Sequence, residues 1–220
     1  MVPMIGFEAA EEHSIHGMLE RFRGEGFLIG GLDHIEKTPM PGYDGKVVPR
    51  RVGADRVRMR MYLSQCTPFT VAHELAHVAD MAVRRQDSLD NLSCAMPAHW
   101  HLAYKMSSEY YANRVACRFT DGDGCLTAFK SDAAGMMTAA RRKDWGNALV
   151  YYALLLGLVH GAGQTGLEPL KMLPRRDPLP VRVLKGMADF RRRAESFFDG
   201  HGASQEGFGV IQPMMAPTAS

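Results

Sequence analysis

The stretch FTVAHELAHVAD, residues 69–80, is apolar at nearly every position that is not histidine or acid. Thr67-Pro68 ahead of it makes a good helix opening, since threonine can cap orphan amides and proline suits the first helical position. The helix this predicts, from Pro68 to about Arg85, carries Phe69, Val71, Ala72, Leu75, Ala76, Val78 and Ala79 nearly all the way round. Such a helix lies inside a protein rather than on it. Two histidines within it must then be satisfied, either by a ligand or by hydrogen bonds.

Residues four apart on a helix differ by about 40° and ~6 Å, so His73 and His77 share a face and can present two imidazoles to one metal. Glu74 lies about 100° round from His73, too far to join that ligand set but placed to reach water at the metal, the spacing of H-E-x-x-H metallopeptidases. At this composition the pattern arises by chance roughly 2% of the time. The competing reading is a buried helix whose two histidines are hydrogen-bonded and hold nothing. A zinc site needs a third protein ligand and leaves its fourth position to water. A third histidine six residues beyond His77 would fall at position 83, where Val83 stands. The remaining candidates are a downstream glutamate or aspartate on another helix.

SSEYYANRVACRF supplies one, in a second helix predicted from about Ser107 to Phe119 and stopped by DGDG at Asp121 to Gly124. Glu109, Ala112, Asn113 and Ala116 share one of its faces. The two alanines allow close approach to the histidine helix, Glu109 can reach the metal, and Asn113 can accept a hydrogen bond from a liganding imidazole. HELAHVAD followed by EYYANRVA resembles the gluzincin pattern of the ImmA/IrrE-type metallopeptidases, HExxH and then ExxAN/DxxA, over roughly residues 56–120. The resemblance implies His73, His77 and Glu109 as metal ligands, Glu74 as catalytic base and Asn113 as support behind a ligand. It also implies a compact α+β zincin-like domain, of a kind often found in phage and mobile-element proteins that cleave a regulator. Ala76 stands where the family commonly has glycine, and no helix-turn-helix segment accompanies the motif.

The rest of the chain frames that core. Residues 8–22 have helical spacing through Ile15, Met18, Leu19 and Phe22, FLIGGLDHIE from Phe27 is a candidate strand, and TPMPGYDGKVVP is expected to be a loop with turns. VRMRMYL, Val57 to Leu63, alternates arginine with apolar residues and suits a half-buried strand. As an edge strand it could hold an extended substrate by strand addition. Helices are expected at about 125–142, 144–160 and 180–199, giving a single domain over residues 1–200 with a loose tail at 201–220. His99, His101, Tyr104, Tyr110 and Tyr111 are candidates to stabilise an oxyanion, His101 foremost. RRR at Arg191 to Arg193 reads as a solvated helix face, and DGDG lacks the later glutamate of a calcium loop.

A formal net charge of +2 calls for neither nucleic acid nor an anionic membrane as partner. The four cysteines form no CxxC pair, and MVPMIGFEAAEEH has no basic start followed by an apolar run. Reduced thiols and a cytoplasmic location are the expectation. ALVYYALLLGLV, from Ala148 to Val159, falls short of the ~20 residues a membrane span requires and is expected to be a core helix. No sequence feature specifies an oligomeric state. The expected protein is an α+β zincin-like metallopeptidase using Zn2+, with a small sheet packed on the HExxH helix, additional C-terminal helices, and a protein or peptide substrate. The alternatives are a metal site kept for structure alone, which would need no Glu74, and an interaction or assembly module using the later helices.

Overall fold

The computed structural model describes residues 2–53, 56–84, 98–172, 179–199 and 202–203. It is an α+β protein with a mixed four-stranded sheet and helices. Met4–Ile5 (β1) leads through helix Ala9–Gly24 (α1) into Leu32–Lys37 (β2), and the two strands pair in parallel. Gly45–Val52 (β3) and Arg56–Leu63 (β4) form an antiparallel hairpin, and β4 inserts beside β2 to give the order β1-β2-β4-β3. The paired glycines Gly30 and Gly31 precede β2 rather than forming part of it.

The alternation in β4 buries Met59, Met61 and Leu63 almost completely and leaves the arginines on the other face. The strand is not an edge, because it pairs on both sides; the edges are β1 and β3. Residues 45–49, with their glycine and proline, are strand rather than the expected loop. The reason lies in the register. Met59 N–H donates to Gly31 O at 2.9 Å and Leu63 O accepts from Thr38 N–H at 2.9 Å, so the buried residues of β4 turn their backbone groups toward β2. Their partners Gly45, Val47 and Pro49 therefore form the pairs without hydrogen bonds and turn their own backbone groups outward. Pro49 sits where the ladder asks for no N–H, which is how an edge strand tolerates proline.

Helix Pro68–Val83 (α2) packs against β3, β4 and α1 and is buried from Thr70 to Asp80 except at His73. Thr67 caps it, its Oγ1 accepting from Thr70 N–H at 3.1 Å. It ends at Val83, with Arg84 as its C-cap, close to the expected end near Arg85; the loop at Pro97, Cys94 and nearly all of the 201–220 tail lie outside the described residues. Helix Ala98–Phe119 (α3) begins well before the expected Ser107, and buried Ala103, Tyr104 and Met106 extend its core face upstream. The DGDG turn starts the next helix as well as stopping this one, with Asp121 Oδ1 accepting from Gly124 N–H at 2.8 Å. Gly122–Arg141 (α4), Trp145–Gly161 (α5), Pro169–Met172 (α6) and Val181–Phe197 (α7) follow, with a short pairing of Phe198–Asp199 (β5) and Gly202–Ala203 (β6).

α3 lies between α2 and α5. Glycines on α5 make that contact close: a side chain at Gly157 would overlap Tyr110 O, and one at Gly161 would stand 2.7 Å from Arg114 O. Cys66, Cys117 and Cys125 are free thiols. No helix among the described residues is long and apolar enough to cross a membrane.

Candidate metal centre

α2 and α3 bring His73, His77 and Glu109 together, as their spacing on two helix faces predicts. His73 Nε2 and His77 Nε2 are 3.0 Å apart, and Glu109 Oε2 is 3.5 Å from the first and 3.4 Å from the second. Tetrahedral bonds of ~2.0–2.1 Å to nitrogen and oxygen place ligand atoms ~3.3–3.4 Å apart. The triangle formed by the three atoms fits a metal ion of that kind.

Hydrogen bonds behind the imidazoles decide which nitrogens face the centre. Asn113 Nδ2 donates to Asp132 Oδ2 on α4 at 3.0 Å and to Leu154 O on α5 at 3.1 Å, which leaves Oδ1 turned to His73 Nδ1 at 2.7 Å. An amide oxygen only accepts, so Nδ1 carries the proton and the neutral ring has its lone pair at Nε2. His77 is held in the same sense. Ser108 Oγ donates to Asp80 Oδ2 at 2.9 Å and is left to accept from His77 Nδ1–H at 3.0 Å. Asp80 is itself anchored by a fully buried Arg84, which also donates to Ser107 Oγ at 3.0 Å and lies over the Tyr104 ring. Each imidazole thus leans on a carboxylate through one intermediate side chain, buried Asp80 behind His77 and half-buried Asp132 behind His73. With both rings neutral, two nitrogen lone pairs and a carboxylate oxygen converge, an arrangement that could hold a cation.

The electrostatics agree. Burial resists charge on His73, yet the Glu109 hydrogen bond and the nearby Glu74 and Glu109 charges outweigh it and push the imidazole up to about 9. Burial likewise resists charge on Glu109, but the two histidines hold its carboxyl well below the usual range. Without a metal, a proton takes the cation's place.

Glu74 stands beside this triangle and not in it. It is buried, and burial raises its carboxyl above the ordinary value against the pull of His73 and His77. Gly45, the first residue of β3, lies against it: a Cβ there would sit 2.6 Å from both Glu74 Cγ and Oε1. Burial also pushes Asp132 up to about 7, opposed by His73 and the Asn113 amide.

Of the other sequence candidates, His101, Tyr104 and Tyr110 are placed or engaged elsewhere. His101 is exposed and belongs to α3 two turns ahead of Glu109. Tyr104 is occupied by Arg84, and the Tyr110 hydroxyl bonds His160 Nδ1 on α5 at 2.8 Å. Arg191 and Arg192 pair with Glu168 and Asp189. Sequence reasoning missed Asp80, Ser108, Asp132 and Gly45. An acid three residues past His77 in an otherwise apolar helix was a usable signal for Asp80, whereas nothing local marks Asp132.

No protein-family model matches the chain, and neither the curated proteins nor the solved structures contain a match to it.

Proposed function

We propose that the protein is a zinc-dependent metallopeptidase of the gluzincin, ImmA/IrrE-like kind with a zincin-like fold, hydrolysing a peptide bond of a protein substrate. His73, His77 and Glu109 would hold the zinc, and an N2O donor set, to which water would add a fourth ligand, suits that metal. When bound, zinc would polarise a substrate carbonyl and acidify water toward a pKa of ~7. Glu74 takes a proton from the water as its oxygen attacks the carbonyl carbon, then returns that proton to the amide nitrogen as the C–N bond breaks. Asn113 and Ser108 keep both imidazoles in the ligating tautomer throughout. Substrate would pair with the outward backbone groups of β3, which begins against Glu74.

One observation carries this reading above a purely structural metal site. Glu74 is a buried carboxylate outside the ligand triangle, raised by its surroundings, at the start of a strand edge left unpaired among the described residues. A structural site has no use for such a group. Of the later helices, which left room for an interaction module, α4 and α5 supply both acceptors for Asn113.

Zinc content and cleavage of a peptide library, measured on three variants, test the proposal. Glu74→Gln should keep near-stoichiometric zinc and lose ~10²–10⁴-fold or more in turnover. Glu109→Ala should lose zinc itself, and Asn113→Ala should weaken metal affinity or activity ~10–100-fold. Turnover by Glu74→Gln equal to the parent's would end the assignment.

A further inference from the structure

The outer face of the β3–β4 hairpin carries far more positive charge than the chain as a whole. Register places Lys46, Arg50, Arg56, Arg58 and Arg60 on that face, since Lys46 lies opposite Tyr62, Val48 opposite Arg60, Arg50 opposite Arg58 and Val52 opposite Arg56. Two carboxylates accompany them: Asp33, shared between Arg50 at 3.4 Å and Arg58 at 3.5 Å, and Glu36 on β2, opposite Tyr62. Lys46, Arg56 and Arg60 have no ion-pair partner among the described residues, and the buried Nε of Arg60 has no hydrogen-bond acceptor. Like charges set opposite one another on a sheet cost stability, as Arg50 and Arg58 do. The excess stands on a protein whose formal net charge is only +2.

Among the described residues, this face adjoins the β3 edge, where an extended chain can add next to Glu74. Outward backbone groups are offered at Gly45 and Val47, and Pro49, which has no N–H, ends the usable run. A strand added there places alternate side chains beside Lys46 and Val48, on the basic face, with the unpaired Arg60 directly behind Val48. We infer that the site selects an extended segment with acidic side chains at alternate positions, read by Lys46 and Arg60. The inference rests on the peptidase reading for its catalytic consequence, though not for binding. Antiparallel addition, the stabler pairing, puts the acidic residues one and three positions to the N-terminal side of the residue facing Gly45. Val47 and Gly45 face inward and small, so the intervening substrate residues meet no charge from β3.

Cross-strand and surface ion pairs are worth ~0.2–1 kcal/mol each, which is up to about fivefold in affinity per acidic residue. The test uses synthetic extended peptides with glutamate, glutamine or lysine at the two positions, on the zinc-loaded parent and on Lys46→Glu. Glu74→Gln serves for binding by fluorescence anisotropy, where no cleavage intervenes. Glutamate peptides should be cleaved and bound roughly two- to fivefold better per acidic residue than glutamine peptides, and 1 M salt, with its Debye length of ~3 Å, should erase the difference. Lys46→Glu should invert the order at the position beside it, and Arg60→Gln should flatten it at the other. Equal cleavage and binding of all three peptide sets would overturn the inference and leave the peptidase reading standing. Salt-sensitive binding of glutamate peptides, lost in Lys46→Glu on the Glu74→Gln background, with no cleavage of any peptide by the parent, would support the surface and overturn the peptidase reading alone.

Discussion

The proposed ligation by His73 and His77 depends on the atoms behind them, which fix where each proton sits. Asn113 Oδ1 and Ser108 Oγ both accept, so both rings turn a lone pair to the centre. A proton competes for the same space, and its pKa of about 9 on His73 sets the pH dependence of metal uptake. The metal-binding form is the deprotonated one, so apparent affinity should be full above pH 9 and fall about tenfold per pH unit below it. In the metal-free fold the sign is opposite. His73 gains a raised pKa, so its stabilising share is complete below its ordinary 6.5 and is lost as the pH rises through about 9. Chelator competition at several pH values, with melting of the metal-free protein, measures both slopes. A metal affinity flat across pH 6.5 to 9 would show that no such proton is displaced.

At the level of elements, the decisive contact is between the start of β3 and α2. Gly45 has room for no side chain because Glu74 fills the space a Cβ would occupy. Gly45→Ala should push the Glu74 carboxylate off its position while leaving the three metal ligands in place. Zinc content and the folded circular dichroism spectrum should match the parent, with turnover reduced at least tenfold through kcat. A Gly45→Ala protein with parental kcat would mean that Glu74 adapts freely and that its position is not set by β3. The same strand explains why the sequence does not reveal the edge: glycine and proline at residues 45–49 mimic a loop, and only the phase of pairing with β4 shows that Pro49 needs no donor.

Across the whole molecule, α4 and α5 act on the centre from behind. They meet it through Asp132 and Leu154 O, both held by Asn113 Nδ2, and α5 comes close enough only because Gly157 lets it rest on the α3 backbone. Gly157→Ala would set a methyl group against Tyr110 O, a backbone atom that cannot swing aside. Overpacking of this sort costs ~1–3 kcal/mol. Chemical denaturation should show that loss, and metal affinity should fall with it, because Asn113 loses its acceptors when the helices part. A stability loss with metal affinity unchanged would mean that Asn113 holds His73 without help from α5.

What the sequence alone determined is everything that local periodicity encodes. The spacing of His73, His77 and Glu109 on two helical faces, the Thr67 cap, the buried face of β4 and the order of later helices are properties of short segments, and short segments fold on rules that reach three or four residues. Glu109 was legible because Ala112, Asn113 and Ala116 mark the face it shares. What only the tertiary structure decided is which distant residues meet. Asp132 lies nineteen positions from Asn113, Gly45 lies twenty-nine from Glu74, and the basic face comes from pairing β3 with β4 in one register. No local pattern specifies such contacts. They follow from how the buried α2 helix is wrapped by the sheet on one side and by α3 and α4 on the other, because its apolar surface has to be covered and the covering elements carry their polar residues with them.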